Sequence, residues 1–170
     1  MTSTDEARAL IPELEAEMGR LVLPSFDNTD AWVLGSLLVS AAVALDAAVT
    51  IDIRRPVQIL FHHARPGTTA DNDNWVDRKS RTAFHFEESS WLVRQRFLAR
   101  GESFEEASGL DPTRYAAHGG SVPLRVSGAG TVAAVTVSGL PQREDHDLVV
   151  RSLAQYLSDP SEPGRLGATI

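Results

Sequence analysis

Apolar and polar positions in the first part of the chain predict two helices of different character. Residues 4–18 place apolar side chains at helical spacing behind acidic first turns, which is typical of a short amphipathic helix. A brief β-like run follows at residues 21–23. From about residue 30 to Ala47, apolar residues surround the helix axis instead of forming one stripe. Such a helix is buried on most sides, in the core or under a subunit interface.

The pattern then changes to the alternation that strands show. Residues 49–53 and 57–62 flank an Arg-Arg-Pro turn and predict a β-hairpin. Residues 122–126 and 131–138 flank Ser-Gly-Ala-Gly and predict a second hairpin. Helical signals lie between and after the hairpins, at residues 71–85, 89–100, 102–108 and 141–157.

This order of elements predicts an α/β (α+β) fold, a sandwich in which helices pack on one small antiparallel sheet. No strand–helix–strand alternation and no GxGxxG run supports a dinucleotide-binding fold. With 170 residues and no long linker, we expect a single domain over residues 1–170. Residues 158–170 are rich in Pro, Gly and Ser and predict a flexible tail.

Composition narrows the classes of function. Sixteen Lys and Arg against 23 Asp and Glu give a net charge of −7, which argues against binding nucleic acid or anionic membranes. The absence of cysteine excludes disulfides, thiolate catalysis, zinc fingers and iron–sulfur ligation. Residues 1–20 are acidic, unlike an export signal, and the uncharged apolar stretch at 31–45 has only fifteen residues, too few to span a bilayer. A cytoplasmic protein without a membrane span is expected.

Lys79 is the most informative single residue. On a helix over 71–86 it falls within the apolar stripe that also holds Trp75 and Phe86. A lysine there must either extend its ammonium to water, join an internal ion pair, or neutralise the anionic group of a ligand. In the last case Arg78 and Arg81, on the adjoining face, would add charge.

Two loops provide further candidate ligand contacts. Gly119-Gly120, after His118, either form a plain turn or let the backbone approach a ligand closely. Ser138-Gly139 join a strand to a helix N-terminus, where exposed N–H groups suit an anion.

Residues of the last helix add two more candidates. Asp145 and His146 follow in its first turns, and helical spacing predicts that His146 faces inward. A hydrolase built on Ser138, His146 and an aspartate is conceivable from sequence proximity alone.

No dedicated metal site is expected. His62 and His63 are adjacent on a predicted strand and therefore point to opposite faces. The acidic run at residues 71–74 resembles the start of a calcium loop, but lacks the glycine and the glutamate that such a loop needs at its sixth and twelfth positions. A helix N-terminus explains this run better.

Four segments together resemble one family. They are VTIDIRR at 49–55, PGTTADNDNWVDRKSR at 66–81, AHGG at 117–120 and VTVSGLPQREDH at 135–146. The combination is similar to an uncharacterised branch of the GlcG/HbpS-like "haem-degrading domain" proteins, over roughly residues 28–157. The resemblance implies a profilin-like or PAS-like sandwich of about five strands, homo-oligomers, and haem as a possible ligand.

These observations favour an oligomeric protein with a pocket for a small anionic molecule, either a carboxylate or a haem propionate. Its predicted walls are helix face 75–82, the loop at 118–120 and the strand-to-helix turn at 138–146. If haem binds, His118 is the first candidate for iron contact, and oxidative haem breakdown is implied only by the resemblance. The alternative is a non-catalytic assembly or adaptor protein, in which Lys79 pairs internally with Asp145 or Glu144. The candidate ligand-binding residues are Trp75, Arg78, Lys79, Thr82, His118, Gly119, Gly120, Ser138, Gly139, Asp145 and His146.

Overall fold

The computed structural model describes residues 3–159, which form six helices and a five-stranded sheet. The helices are α1 (Thr4–Arg20), α2 (Asn28–Ala44), α3 (Ala70–Phe86), α4 (Ser90–Leu98), α5 (Phe104–Ala107) and α6 (Gln142–Ser158). The strands are β1 (Val22–Leu23), β2 (Thr50–Arg55), β3 (Gln58–Ala64), β4 (Ser121–Val126) and β5 (Gly130–Ser138). Both predicted hairpins are confirmed, as β2–β3 and β4–β5.

The strand order in the sheet is β1-β4-β5-β2-β3, so the two hairpins meet at its centre through β5 and β2. These four strands run antiparallel, as expected. The two-residue β1 differs, because it pairs parallel to β4 at the sheet edge. It enters the sheet directly from α1 and is not part of a hairpin.

The two faces of the sheet have different chemistry because side chains alternate along each strand. On one face, apolar residues such as Ile51, Ile53, Val135 and Val137 join the main core with residues from α2 and α6. On the other face, short or polar residues such as Asp52 and Thr136 lie under α3, and both are fully buried. The α+β sandwich predicted from the sequence is therefore present, and its functional candidates lie mainly on the polar side.

Local capping explains where the helices begin. The Thr69 side chain accepts a hydrogen bond from the backbone N–H of Asp71, and the Asn72 side chain accepts one from the backbone N–H of Thr69, which starts α3. The acidic run at 71–74 is thus the first turn of a helix, as the sequence indicated. The last helix begins one residue after Pro141 and continues through Ser158, the first residue of the predicted tail. From residue 160 onwards that tail lies outside the described residues.

Within residues 3–159, no helix combines the length and the apolar character needed to cross a bilayer. The longest apolar helix, α2, has 17 residues.

Candidate functional site

Lys79 lies at the centre of the candidate site and is almost completely buried, with 3% of its surface exposed. Its Nζ donates to the carbonyl oxygens of Gly119, at 2.8 Å, and Val137, at 2.9 Å, and to Oδ2 of Asp145, at 2.9 Å. Three acceptors match the three N–H donors of an ammonium group. Of the alternatives left open by the sequence, Lys79 therefore forms the internal ion pair.

The carboxylate of Asp145 lies where the sequence predicted the anionic group of a ligand, beside Lys79 and the turn at Ser138-Gly139. It accepts hydrogen bonds from the backbone N–H groups of Gly139, at 3.3 Å, and Leu140, at 3.0 Å, in the turn between β5 and α6. Burial raises the pKa of Asp145 and lowers the pKa of Lys79, while their mutual attraction opposes both shifts. The hydrogen bonds to both groups favour their charged forms and so act against the effect of burial.

Gly120 lets this pair form because it leaves the space beside Lys79 open. Its φ of 123° is unfavourable for residues with a side chain, and an added Cβ would lie 2.7 Å from Lys79 Nζ and 2.9 Å from Asp145 Cβ. The absence of a side chain at Gly120 thus lets Lys79 Nζ reach the carbonyl oxygens of Gly119 and Val137.

A polar cavity of about 300 Å³ opens next to the ion pair. Five of the predicted residues line it together with four that the sequence analysis did not select. The predicted residues are Trp75, Lys79, His118, Ser138 and Gly139, and the others are Asp71, Asn72, Leu140 and Gln142. Asn72 could have been found from its helical spacing to Trp75 and Lys79, whereas no sequence signal joins Gln142 to them.

His118 lies at one wall of the cavity, with its ring centroid 4.9 Å from that of Trp75. Burial, together with the positive charges of Arg94, Lys79 and Arg78, lowers its pKa to about 4, although Glu105 opposes the shift. Its Nε2 is 3.9 Å from the Glu105 carboxylate, too far for a hydrogen bond. At neutral pH the site therefore holds an uncharged imidazole that has no hydrogen-bond partner among residues 3–159.

Two predicted residues on α3 support the cavity wall without lining the cavity. The Arg78 guanidinium stacks over Trp75, 4.4 Å from the ring centroid, and donates to the carbonyl of Pro112. Thr82 is buried, donates to the carbonyl of Arg78 and accepts from the backbone of Ala116. Both tie α3 to the loop that carries His118.

His146 faces inward as expected, but the structure does not bring it to the cavity. Its Nε2 lies 2.8 Å from Oε1 of Glu17 on α1, and its Nδ1 is buried without a partner. One step along the helix turns it about 100° away from Asp145, so the two side chains meet different elements. The Ser138–His146 arrangement considered for a hydrolase is therefore not formed.

The fold and the site define a class of protein in which helices cover a five-stranded sheet and a polar cavity opens at the end of β5. Residues 26–154 match the family model described as "Haem degrading protein HbpS-like", and the chain belongs to this family. A UPF0303 protein of Streptomyces avermitilis is 56% identical over 150 residues, which cover 88% of this chain and 92% of that protein.

Solved structures agree with this fold. The crystal structure of the Ybr137w protein is 34% identical with a TM-score of 0.79, and the match covers 86% of each chain. The crystal structure of a PduOC–heme complex is 16% identical with a TM-score of 0.65, and covers 76% of this chain and 94% of that one. At that identity the second likeness shows the shared fold alone.

The buried pair generates a prediction about stability. We expect Lys79→Met or Asp145→Leu alone to cost about 3–5 kcal/mol of unfolding free energy, because each leaves an uncompensated buried charge. The double variant should cost clearly less than the sum of the two. Urea unfolding of all four proteins measures this coupling.

The exposed Arg8–Asp5 pair, 3.1 Å long, is the control and should show a coupling of about 1 kcal/mol or less. Additive losses at Lys79 and Asp145 would contradict the assignment.

The environment of His118 generates a prediction about pH. Its pKa is about 4 in the folded protein against 6.5 for the unperturbed group, so the unfolded chain binds the proton more readily between these values. The unfolding free energy should therefore fall as pH decreases from about 6.5 to about 4, and His118→Gln should reduce this fall. An NMR titration of the His118 ring should give a midpoint near 4. A midpoint near 6.5 would show that the ring is not held in this environment.

Proposed function

We propose that the protein binds a small anionic ligand of the haem type in the cavity beside His118. The observation that carries the proposal is the uncharged imidazole of His118, which has no hydrogen-bond partner among the described residues and is packed against Trp75. Membership of the HbpS-like family supports the same class of ligand. The family description and the PduOC–heme complex refer to those proteins and provide the reason to test haem first.

The chemistry of the available donors fits haem. Haem iron is bound by a neutral imidazole nitrogen, which His118 would supply, and a pKa of about 4 keeps His118 neutral over the physiological range. Trp75 offers a flat apolar wall beside that nitrogen. A cavity of about 300 Å³ is at the small end of the range for ligand sites, so it would enclose an edge of a macrocycle.

The positive charge for an anionic ligand comes from Arg78 and Arg94 in this proposal, and not from Lys79. Both guanidinium groups are close enough to His118 to lower its pKa. The ammonium of Lys79 is already neutralised by Asp145 and has no donor left. The proposed roles are therefore iron contact for His118, a stacking wall for Trp75 and electrostatic attraction of the ligand's carboxylates by the two arginines, which lie outside the cavity lining.

The protein's part would be to hold the ligand and orient it. A bound haem supplies redox chemistry through its iron, while the chain provides the position and the electrostatic environment. Four further residues are proposed to act indirectly, because they form or permit the Lys79–Asp145 ion pair beside the cavity. They are Gly119, Gly120, Gly139 and Asp145.

The test is an absorbance titration of the full chain with haem. We expect a saturable Soret shift near one haem per chain, and a binding curve weakened about tenfold or more by His118→Ala. His63→Ala is the matched control, because His63 is exposed on β3 and outside this cavity, and it should leave the curve unchanged. A featureless titration, or equal curves for wild type and His118→Ala, would reject the proposed haem site.

A non-catalytic assembly protein is the second candidate, and two observations favour it. This alternative predicts that Lys79 pairs with an internal carboxylate, and Lys79 does form an ion pair with Asp145. Helix α2 also presents an apolar stripe at helical spacing on its outer face, with Trp32 67% exposed and Val43 56% exposed. We propose that this stripe, which includes Val39, is the contact between copies of the chain in a homo-oligomer.

Light scattering coupled to size exclusion tests the oligomer. We expect the wild type to elute as an oligomer and the Trp32→Ser/Val43→Ser variant to shift towards the monomer. Val57→Ser is the control, because Val57 is 97% exposed at the hairpin tip, away from this stripe. A monomeric wild type, or an oligomer unaffected by the α2 substitutions, would reject this contact.

A further inference from the structure

A second cavity, of about 330 Å³, lies between α3 and the loop that precedes His118. Its lining is cationic and aromatic and includes no acidic residue, although the chain carries a net charge of −7. The lining residues are Pro56, Arg81, Phe84, His85, Arg114 and Tyr115. We propose that this cavity binds a small organic phosphate whose flat part packs against the aromatic side chains.

The cavity is separate from the site beside His118, although both use α3. Measured from Trp75 at 100° per residue, Asn72 and Lys79 fall within roughly 0–60° around the helix. Arg81, Phe84 and His85 fall at roughly 180–280°. The two sets of side chains therefore lie on opposite faces of the same helix.

Arg81 is oriented towards the second cavity by two long contacts. Its Nη1 lies 3.5 Å from the carbonyl oxygen of Arg114, and its Nη2 lies 3.5 Å from Oδ2 of Asp77. The other oxygen of Asp77 is bound by Arg54, so this carboxylate is shared and lies outside the cavity lining. The guanidinium of Arg81 thus keeps donors available for a ligand.

The guanidinium of Arg114 has fewer contacts than that of Arg81. It has no hydrogen bond or ion pair among residues 3–159. Asp111 is near enough for an electrostatic interaction, but its Oδ1 accepts from the hydroxyl of Thr113, at 2.6 Å, and from that residue's backbone N–H. Two guanidinium groups brought to one cavity repel each other, and an anion between them removes that cost.

Phosphate is the anion that this set of donors suits best. Guanidinium groups bind phosphate oxygens in a bidentate manner, and phosphate accepts more hydrogen bonds than a carboxylate does. The Tyr115 hydroxyl and the exposed His85 ring, whose centroid is 5.7 Å from that of Tyr115, supply further donors. Phe84 and Pro56 complete the apolar part of the lining.

Calorimetric titration of the full chain with phenyl phosphate, in a phosphate-free buffer, tests the proposal. We expect saturable one-to-one binding, with Arg81→Gln and Arg114→Gln each raising Kd about tenfold or more. Arg143→Gln is the matched control, because Arg143 also makes a long i,i+4 contact, 3.6 Å to Asp147, but lies outside this cavity. It should leave Kd unchanged. No saturable binding, or equal weakening by all three variants, would overturn the proposal.

Two comparison probes separate the parts of the ligand. Inorganic phosphate should bind more weakly than phenyl phosphate because it lacks the ring, and benzoate more weakly because it lacks the phosphate. Equal binding of inorganic phosphate would overturn the aromatic contact, and equal binding of benzoate would overturn the choice of phosphate. His118→Ala should keep phenyl phosphate binding, and Arg114→Gln should keep the haem titration, so the two proposed sites fail or succeed independently.

Discussion

The buried ion pair between Lys79 and Asp145 connects the elements on which the site depends. The ammonium lies on α3, its acceptors lie on the loop before β4 and at the end of β5, and its counter-ion begins α6. A charge this deeply buried is tolerated only when its partner and its hydrogen bonds are complete. The pair therefore fixes the position of α3 relative to three segments that lie 40 to 66 positions away from Lys79 in sequence.

This arrangement decides which groups remain open to a ligand. Asp145 already occupies the two N–H groups of the β5–α6 turn, and Lys79 has used its three donors. The sequence predicted that the turn and Lys79 bind the anion of a ligand. In the structure both bind the carboxylate of Asp145 instead. What stays available beside the cavity is an uncharged His118 against Trp75, in reach of positive charge from Arg78 and Arg94.

Helix α3 is the element that the two cavities share. One face closes the polar side of the sheet and bears the residues of the first cavity, and the opposite face contributes to the cationic second cavity. Arg78 lies between them, stacked on Trp75 and bonded to Pro112 of the loop that supports both. A shift of this helix would change both cavities together, because the same rigid element carries them.

Local patterns in the amino-acid sequence specify the elements and the class of fold, because alternation and helical spacing are local properties of the chain. They indicate both hairpins, the inward positions of Lys79 and His146, and a resemblance to the family that the comparisons then established. The partners of the buried polar side chains, by contrast, depend on long-range packing. Lys79 and Asp145 are 66 positions apart and His146 and Glu17 are 129 apart, and no periodicity encodes contacts at such separations. Adjacent residues on one helix, Asp145 and His146, thus meet different neighbours because one residue turns the helix by about 100°.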